Sequence, residues 1–410
     1  MIHRSAARIV REALADTPVV LVHGPRQAGK STLAQAVADE LGGFRRLNLD
    51  DALPRARAVE DPTDFIETLA GPALIDEVQR APGIFLPIKS SVDRDRRPGR
   101  FLLTGSSNIL ALPKLADSLA GRMAIIDLLP LSQGEVEGHS EPTFLDRLFD
   151  GEPIEFEGSG VPDLAERIVR GGFPEARARA SSQRRDAWFE DYSRTLLERD
   201  VRDLANIEGL VQMPRVLRLL AARAGQTINV LSLARDTGIP NTSLHRYLDL
   251  LKGVFLLHFV PAWSDDRGTR LTRSPKAYLV DTGLLAYLDN VSIKSLASNR
   301  DELDLVAENF VAMELIKLAK TSGARVELHH LRTVKQLEVD FVLEARGGDV
   351  VGIEVKASPS IRPEDADGLK FLKELAGDRF RRGIVLYTGR EVQPFGKDMI
   401  ALPIDALWGL

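Results

Sequence analysis

The sequence VVLVHGPRQAGKSTLAQAVADEL occupies residues 19–41 and decides the fold of the first part of the chain. Its opening residues are apolar and β-branched, as in a buried strand, and the segment from Thr32 to Leu41 has the spacing of a helix. The turn between them matches the pattern GxxxxGK followed by Ser or Thr, which is the phosphate-binding loop, or P-loop. The pattern and its position predict a nucleotide site between a strand and a helix.

The composition of the P-loop predicts which atoms meet the ligand. Glycines let successive backbone N–H groups turn toward phosphate oxygens, and the N-terminus of the next helix adds the positive end of its dipole. We expect Lys30 to contact the β- and γ-phosphates of ATP, and the Ser31 hydroxyl to bind the accompanying Mg²⁺. The residues expected to bind ATP are Gly24, Pro25, Arg26, Gln27, Ala28, Gly29, Lys30, Ser31 and Thr32.

Two later segments supply the acidic and polar groups expected at the same site. The segment ALIDE at residues 73–77 is an apolar run that ends in Asp76 and Glu77. We expect Asp76 to bind Mg²⁺ and Glu77 to polarise the attacking water. Ser106, in the segment LLTGSSN, is the residue expected to sense the γ-phosphate. An ordinary strand end and an ordinary turn are the alternatives for these two segments.

A catalytic arginine is also expected, because an arginine that meets the γ-phosphate stabilises charge in the transition state. The candidates are Arg122, in the segment LAGR, and Arg199, in the segment ERD. We include Arg122 among the catalytic residues. Arginines are abundant in this chain, so an exposed arginine without a catalytic role is the alternative for both. An arginine that acts on a neighbouring subunit would require a homo-oligomer.

The bulk composition excludes several classes of function. The chain has 410 residues, of which 44% are hydrophobic and 28% charged, as in a folded protein of two or three domains. Its net charge of −5 gives no global positive field for nucleic acid, so any DNA contact must be local. The absence of cysteine excludes disulfides and thiol catalysis and agrees with a cytoplasmic location. The longest apolar stretch, residues 253–263, is too short for membrane insertion.

The order of local patterns predicts four regions. Residues 1–135 alternate short β-branched runs with helical segments, which predicts an AAA-like α/β domain with a parallel sheet that carries the P-loop. Residues 136–225 are helical and are expected to form a lid or linker. Residues 226–275 have the pattern of a winged helix-turn-helix, and residues 276–410 that of a small α/β domain. The five parallel strands are expected at residues 18–23, 45–49, 73–75, 101–104 and 123–128.

The helix-turn-helix prediction depends on a short helix at 231–237, a turn at 238–240 and a second helix that begins at Asn241. In DNA-binding proteins with this motif, the second helix presents small polar or basic side chains to the major groove. A packing module that moves with the nucleotide state is the alternative, and the acidic net charge favours it. The candidate DNA contacts are Asn241, Thr242, Ser243, His245 and Arg246, with Arg267, Arg270 and Arg273 in the wing.

Nearly the whole chain resembles one family. The motifs that carry the resemblance are GPRQAGKS, ALIDE, LLTGSS, LAGR followed by LLPLS, GGFPEA, LLERDV, KAYLVDTGLL, ENFVAMEL and IEVKA. Together they resemble the bacterial AAA-type P-loop ATPases that carry a C-terminal domain of unknown function. The resemblance implies an AAA-like ATPase core, a winged helix and a C-terminal domain similar to the PD-(D/E)xK, or restriction-endonuclease-like, nucleases. It implies no known reaction.

The C-terminal region contains acids with the composition of a nuclease-like Mg²⁺ site. Metal-dependent cleavage of a phosphodiester needs carboxylates that hold the cation and a positive group near the phosphate. Asp340, Glu354 and Lys356 have this composition, and the last two would share one face of a strand because strand side chains alternate. Glu308 resembles the helical acid that completes such sites. The pattern is frequent in a chain this rich in charge, so a structural role is the alternative.

These observations lead to one functional hypothesis and two alternatives. We expect a cytoplasmic, Mg²⁺-dependent ATPase whose nucleotide state moves the winged-helix region relative to the nuclease-like domain, with double-stranded DNA as a candidate partner. The first alternative is a nucleotide-gated switch that binds a protein partner, turns over little ATP and cuts no DNA. The second is a nuclease that acts in defence against foreign DNA and to which the ATPase is subordinate.

Overall fold

The computed structural model describes residues 2–106, 119–139, 143–201, 210–270, 273–333 and 337–410. The chain divides into two compact units. Unit 1 contains residues 1–131 and 250–256, and unit 2 contains residues 132–249 and 257–410. None of the described helices is long and apolar enough to cross a membrane.

Unit 1 is built around a sheet of five parallel strands. The strands are β1 (Val19–His23), β2 (Arg45–Asn48), β3 (Ala73–Asp76), β4 (Phe101–Gly105) and β5 (Met123–Asp127). Their order across the sheet is β2-β3-β4-β1-β5, and every neighbouring pair is parallel. The predicted α/β sheet of five parallel strands is therefore confirmed. Because all strands point the same way, the P-loop after β1 lies at the same edge as the ends of β3 and β4.

Helices cover both faces of this sheet. They are α1 (Ala6–Asp16), α2 (Lys30–Leu41), α3 (Ala52–Glu60), α4 (Pro62–Glu67) and α5 (Phe85–Arg94). Side chains of a strand alternate between faces. Val19 and Leu21 therefore pack with residues of α3, α4 and α5, whereas Val20 and Val22 pack with residues of α1 and α2. This burial on both faces explains why β1 is a continuous apolar run in the sequence.

The first part of unit 2 is helical, as predicted for the lid or linker. Its helices are α6 (Gln133–Glu137), α7 (Phe144–Phe149), α8 (Leu164–Arg170), α9 (Pro174–Arg177), α10 (Ser182–Thr195) and α11 (Met213–Ala221). A π-helical turn at Leu196–Asp200 extends α10. The rings of Trp188 and Tyr192 stack with their centroids 5.0 Å apart, and the ring of Phe173 lies against both. These aromatic contacts stabilise the packing of α10.

A helix-turn-helix arrangement follows. Helix α12 (Val230–Thr237) ends at Gly238, whose φ of 73° is a left-handed conformation that glycine adopts without steric cost. Helix α13 (Asn241–Gly253) begins after this turn. Strands β6 (Leu257–Val260) and β7 (Lys276–Leu279) then pair antiparallel, with the short helix α14 (Arg267–Arg270) between them. Both predicted helices are present, and strand β6 follows them. The winged-helix fold as such stays a prediction.

The C-terminal part of unit 2 is a mixed sheet with helices. Its strands have the order β12-β13-β11-β10-β9-β8, in which β8, β9 and β10 are antiparallel and β11 is parallel to both β10 and β13. Strands β9 and β10 pair across the turn at residues 346–348, and the nuclease-like fold stays a prediction. The elements are α15 (Thr282–Leu288), α16 (Ile293–Ser298), α17 (Arg300–Thr321), β8 (Val326–Arg332), β9 (Glu338–Ala345), β10 (Val350–Lys356), α18 (Asp367–Ala376), β11 (Phe380–Tyr387), β12 (Gln393–Pro394), β13 (Met399–Pro403) and α19 (Ala406–Gly409).

Candidate functional site

The P-loop connects β1 to α2 with a backbone that requires glycine. Gly24 has a φ of 152°, and a Cβ atom there would lie 2.1 Å from the carbonyl oxygen of Leu128, which follows β5. Gly29 has a φ of 95° and is the N-cap residue of α2. L side chains rarely adopt either conformation. The glycines of the pattern are therefore required by the geometry of the loop itself.

The other predicted loop residues lie between the strand and the helix. Gln27 adopts a left-handed φ of 59°, which bends the loop in its middle. The first turn of α2 leaves backbone N–H groups without partners inside the helix, and this arrangement binds phosphate. The loop residues are Pro25, Arg26, Gln27 and Ala28, and Thr32 lies in the first turn of α2.

Lys30 is the first residue of α2, and its side chain is turned back over the loop. Only 4% of the residue is exposed. Its Nζ donates to the carbonyl oxygens of Gly24, at 3.1 Å, and of Pro25, at 2.8 Å. The ammonium group is thus held inside the loop that is expected to surround the phosphates, and its three donors allow it to exchange carbonyl contacts for phosphate contacts.

Ser31 and Asp76 meet although 45 positions separate them in the sequence. Ser31 Oγ donates to Asp76 Oδ1 at 2.9 Å, and the hydroxyl of Thr104 donates to the same carboxylate oxygen. Mg²⁺ is bound by oxygen ligands and completes its shell with phosphates and water rather than with a full set of protein groups. The structure therefore brings together the two residues predicted to bind Mg²⁺, and their oxygens fit that role.

The carboxylate of Glu77 is held by two side chains. Glu77 follows β3 with a left-handed φ of 58°. Its Oε2 accepts hydrogen bonds from Nε2 of Gln79 and from Oγ of Ser106, the latter at 3.2 Å. Gln79 Nε2 also donates to Ser106 Oγ at 2.8 Å. Ser106, predicted to sense the γ-phosphate, thus lies beside the predicted base, and Gln79 joins the site as a residue that the sequence analysis missed.

Arg122 does not reach the P-loop of its own chain. It precedes β5, and the parallel pairing of Val19 with Met123 places it at the amino ends of the strands, whereas the P-loop follows the carboxyl end of β1. The five residues of β1 span about 16 Å. Arg122 Nε lies 2.6 Å from Asp93 Oδ1, and this hydrogen bond lowers the pKa of Asp93. The prediction that Arg122 is catalytic is therefore wrong for the site of its own chain.

Two further observations concern arginines. Arg4 was not predicted from the sequence, yet its Nη1 donates to the carbonyl oxygen of Ala28 and its Nη2 to that of Leu129, each at 2.6 Å. Arg4 therefore ties the P-loop to the segment after β5. The side chain of Arg199, the other candidate for the catalytic arginine, lies outside the described residues.

The predicted nuclease-like Mg²⁺ site is organised around a buried lysine. Lys276, on β7, is 1% exposed. Its Nζ lies 2.8 Å from Glu308 Oε1, 2.6 Å from Glu338 Oε1 and 3.5 Å from Asp340 Oδ1. Among the described residues, no three acidic or histidine side chains are arranged to hold a metal ion. The metal site at Glu308, Asp340 and Glu354 stays a prediction, and the ammonium group of Lys276 pairs with two of its acids, Glu308 and Asp340.

Glu354 and Lys356 complete this lysine-centred cluster on β10. Lys356 Nζ lies 3.9 Å from Glu354 Oε2, so the two side chains share a face of the strand as their spacing predicted. Burial and the nearby Asp340 raise the pKa of Glu354 well above its usual value. Asp340 Oδ2 also accepts a hydrogen bond from the backbone N–H of Val355 at 3.0 Å. Asp340 therefore connects β9 to β10.

Glu308 gives the cluster a dependence on pH. Burial and Asp340 raise the pKa of Glu308 from 4.5 to about 7, against the opposite effect of Lys276. The folded protein thus keeps a proton that the unfolded chain releases, so this stabilisation is complete below pH 4.5 and is lost as the pH rises to 7. A Glu308→Gln variant cannot titrate. We expect the wild type to lose about 3 kcal/mol of stability relative to this variant across that range.

Urea unfolding of both proteins at a series of pH values measures this effect. Groups other than Glu308 titrate in both proteins, so the difference between their free energies of unfolding isolates Glu308. The control is Glu374→Gln, which changes an exposed glutamate in the same unit. A difference between wild type and Glu308→Gln that stays constant with pH would contradict the assignment.

The residues predicted to contact DNA lie largely on the surface of unit 2. Leu244 and Leu248 are buried on the opposite side of α13. In the wing, Arg273 is exposed and the side chain of Arg267 lies outside the described residues. Arg270 Nη2 instead lies 2.7 Å from Glu344 Oε2, with only 10% of its side chain exposed, so its predicted phosphate contact is wrong. On α13, Asn241, Thr242, His245 and Arg246 are exposed and Ser243 is half-buried.

Three family models match successive parts of the chain. A model described as an AAA domain matches residues 16–137. A domain of unknown function (DUF8612) matches residues 161–295, and another domain of unknown function (DUF4143) matches residues 304–407. The first match includes the P-loop and all five parallel strands, so the chain carries an AAA-type P-loop domain.

Similar proteins and structures extend these matches. The chain is 31% identical over 408 residues to the uncharacterized protein Rv2008c of Mycobacterium tuberculosis, which covers 98% of this chain and 84% of that protein. It is 24% identical over 395 residues to an uncharacterized protein of Haemophilus influenzae, with 91% and 89% covered. The Walker-type ATPase PABY2304 of Pyrococcus abyssi is 16% identical, with a TM-score of 0.42 and coverage of 70% of this chain and 96% of that structure.

Proposed function

The chain belongs to the same family as its Mycobacterium tuberculosis relative, and from its AAA-type P-loop domain we propose that it binds ATP with Mg²⁺ and hydrolyses it. The observation that carries the proposal is the contact of Ser31 with Asp76 at 2.9 Å, directly beside the P-loop lysine. This contact supports a site for Mg²⁺-bound phosphate, because the hydroxyl and the carboxylate are oxygen ligands at the end of a phosphate-binding loop.

Each side chain of the proposed site has its own role. The loop N–H groups and Lys30 bind and orient the β- and γ-phosphates. Ser31 and Asp76 hold the Mg²⁺, which neutralises charge that develops on the phosphate oxygens. Glu77 orients the attacking water and accepts its proton. Gln79 and Ser106 position the Glu77 carboxylate by hydrogen bonds. Thr104 positions the Asp76 carboxylate in the same way.

A Ser31→Ala variant tests the Mg²⁺ part of the proposal. We expect Mg²⁺ to strengthen the binding of ATP to the wild type and to lose most of this effect in the variant, because the hydroxyl ligand is missing. The expected loss is about tenfold in affinity for Mg-ATP, with little change for ATP in the presence of EDTA.

Isothermal titration calorimetry with and without Mg²⁺ measures both affinities. The matched control is Ser90→Ala, which removes the hydroxyl of an exposed serine in the same unit. Equal dependence on Mg²⁺ in wild type and Ser31→Ala would remove Ser31 from the site.

A second part of the proposal concerns an arginine from a neighbouring copy. Arg122 lies at the edge of the sheet opposite the P-loop, so it would meet the γ-phosphate only in a homo-oligomer. Sedimentation of the protein with and without ATP shows whether it forms such a homo-oligomer. A protein that stays monomeric while it hydrolyses ATP would exclude it.

DNA binding by α13 is the second candidate function. The exposure of His245 and Arg246, with Leu244 and Leu248 buried behind them, favours it. We expect binding to duplex DNA to weaken with salt, and to weaken about tenfold further in a His245→Ala/Arg246→Ala double variant. Fluorescence anisotropy across a salt series measures both effects. An affinity for duplex DNA that does not change with salt concentration would contradict DNA binding by α13. It would favour a nucleotide-gated switch that acts on a protein partner.

A DNA-cleavage assay examines the C-terminal region. Lys276 pairs with Glu308 and Asp340, two of the acids that would hold a metal, so we propose that the lysine-centred cluster is structural and that this region cuts no DNA. Duplex DNA incubated with the protein and Mg²⁺ is expected to remain intact. Cleavage that disappears in Asp340→Ala would overturn this view and restore the nuclease hypothesis. The division of the chain at residues 135, 225 and 275 stays part of the proposal.

A further inference from the structure

A pocket of about 990 Å³ lies in unit 2 and is lined in part by residues of strands β8 and β9. Strand β8 is the last strand of the six-stranded sheet, so one of its sides has no neighbouring strand of that sheet. The pocket belongs neither to the P-loop nor to the lysine-centred cluster. Its charged and polar lining residues are Arg270, Arg325, Glu327, His329, Glu344 and Arg346.

The outer side of β8 is paired at one end and open at the other. His330 donates its backbone N–H to the carbonyl oxygen of Pro261 at 3.0 Å and accepts from the N–H of Trp263 at 2.6 Å, which forms a short parallel bridge. Within the described residues, no backbone group of Val326–His329 is bonded on that outer side. An edge strand of this kind presents N–H and C=O groups to which a further strand can bind.

Positive charge lies beside the open end of β8. Arg325 and Arg346 are cross-strand neighbours, joined by a backbone hydrogen bond of 3.2 Å, and both are exposed. Arg325 and Arg346 form no ion pair with a described residue. Arg270 differs, because Glu344 neutralises it at 2.7 Å. The opposing charge at the pocket is Glu327, whose side chain is 81% exposed. The open end of the strand is therefore suited to a negatively charged group.

His329 adds unsatisfied hydrogen-bonding groups to the pocket. The residue is 5% exposed, and neither ring nitrogen has a hydrogen-bond partner in the part of the chain that the structure describes. Glu327 Oε2, at 3.6 Å from Nε2, is beyond hydrogen-bond length. Burial lowers the pKa of His329, so the ring is neutral and has one donor and one acceptor. A ligand with both a donor and an acceptor would satisfy both nitrogens.

We propose that this pocket binds an extended acidic segment of a partner protein, which adds to β8 beside Val326–His329 and places a carboxylate between Arg325 and Arg346. Addition of a strand to a sheet edge provides main-chain hydrogen bonds, and the charged side chains select the sequence. A peptide fits better than a nucleic acid, because a phosphate backbone has no N–H groups to pair with the C=O groups of an edge strand. The proposal does not depend on ATP hydrolysis.

Defined peptides test the recognition without knowledge of the natural partner. A fluorescein-labelled peptide of about six residues with alternating Val and Glu has the length and charge required. Its controls have Lys in place of Glu, or N-methyl groups that remove alternate backbone donors. In anisotropy titrations with the full-length protein, we expect the acidic peptide to bind at least about tenfold more tightly than either control.

Variants and hydrogen exchange locate the binding site. Arg325→Glu/Arg346→Glu is expected to weaken binding of the acidic peptide by at least about tenfold. Arg300→Glu, at the other end of α17 from the pocket, is the matched control and should leave binding unchanged. In the wild type, the acidic peptide should slow amide exchange at Val326–His329, a readout that does not require any variant to fold.

Three results would overturn the proposal. One is equal binding of acidic, basic and N-methylated peptides, or no binding of any of them at about 1 mM. Another is binding without protection of Val326–His329. The third is duplex DNA that displaces the acidic peptide and loses affinity in the double-arginine variant, which would assign the surface to nucleic acid. ATP turnover measured on the same samples keeps this outcome separate from the fate of the proposed ATPase.

Discussion

The Lys30→Ala variant is expected to lose affinity for Mg-ATP by about 10²- to 10³-fold, and to lose ATP turnover with it. The expected size of the effect follows from burial. Lys30 is 4% exposed, and its ammonium group lies over the loop, where it contacts two carbonyl oxygens that phosphate oxygens would replace. In this water-poor position the attraction between the ammonium group and phosphate is screened less than at a surface. Calorimetric titration with Mg-ATP measures the affinity.

Lys89→Ala is the matched control for Lys30→Ala. Lys89 lies on α5 of the same unit and is not part of the P-loop. The control variant should bind and hydrolyse ATP as the wild type does. Unchanged affinity in Lys30→Ala, in a protein with normal thermal unfolding, would show that the P-loop is not the nucleotide site.

The Glu77→Gln variant is expected to bind ATP normally and to hydrolyse it about 10²- to 10⁴-fold more slowly. A glutamine cannot accept the proton of the attacking water, whereas its side-chain oxygen can still accept the hydrogen bonds of Gln79 and Ser106. The site therefore keeps its geometry and loses its base. Steady-state phosphate release gives the rate, and calorimetry gives the affinity.

The exposed Glu60, on α3 of the same unit, provides the control for this substitution. Glu60→Gln should leave turnover unchanged. If Glu77→Gln keeps the turnover of the wild type, Glu77 is not the base, and the contacts of Gln79 and Ser106 with its carboxylate are structural.

The fold of unit 1 and the main part of its site could be predicted because their signals are local. The P-loop pattern contains its own glycines, lysine and serine within one short segment. The apolar run before Asp76 identified β3, and the parallel arrangement of the strands then required its end to lie beside the P-loop. The contact of Ser31 with Asp76 follows from these two facts, so the sequence was sufficient to find it.

The partners of these acids could not be predicted in the same way. Gln79 reaches Glu77 only because the chain turns sharply after β3, where Glu77 adopts a left-handed conformation. Thr104 reaches Asp76 because β3 and β4 are neighbours in the sheet. Local sequence patterns do not predict the order of strands in a sheet. Arg122 is a different case, because its position directly before the last of the five predicted parallel strands already puts it at the amino ends, opposite the P-loop.

In the C-terminal region, burial and pairing add contacts that the charge pattern of the sequence does not show. Asp340, Glu354 and Lys356 have the composition of a nuclease site, and the antiparallel pairing of β9 with β10 places them near one another. Lys276 adds a positive charge to this group, yet it lies on β7, 32 positions before Glu308, which is on α17. Its apolar neighbours in KAYLV gave no sign that its ammonium group would be buried among acids. Only the pairing of β7 and the packing of α17 reveal it.

Phosphate release from ATP by the full-length wild-type protein, measured with Mg²⁺ and with EDTA, tests the central claim most directly. The same assay with duplex DNA added shows whether nucleic acid stimulates the rate. We expect turnover that requires Mg²⁺, is lost in Lys30→Ala and is strongly reduced in Glu77→Gln. Tight binding of ATP without release of phosphate, under the same conditions in the wild type, would contradict hydrolysis and leave a nucleotide-gated switch.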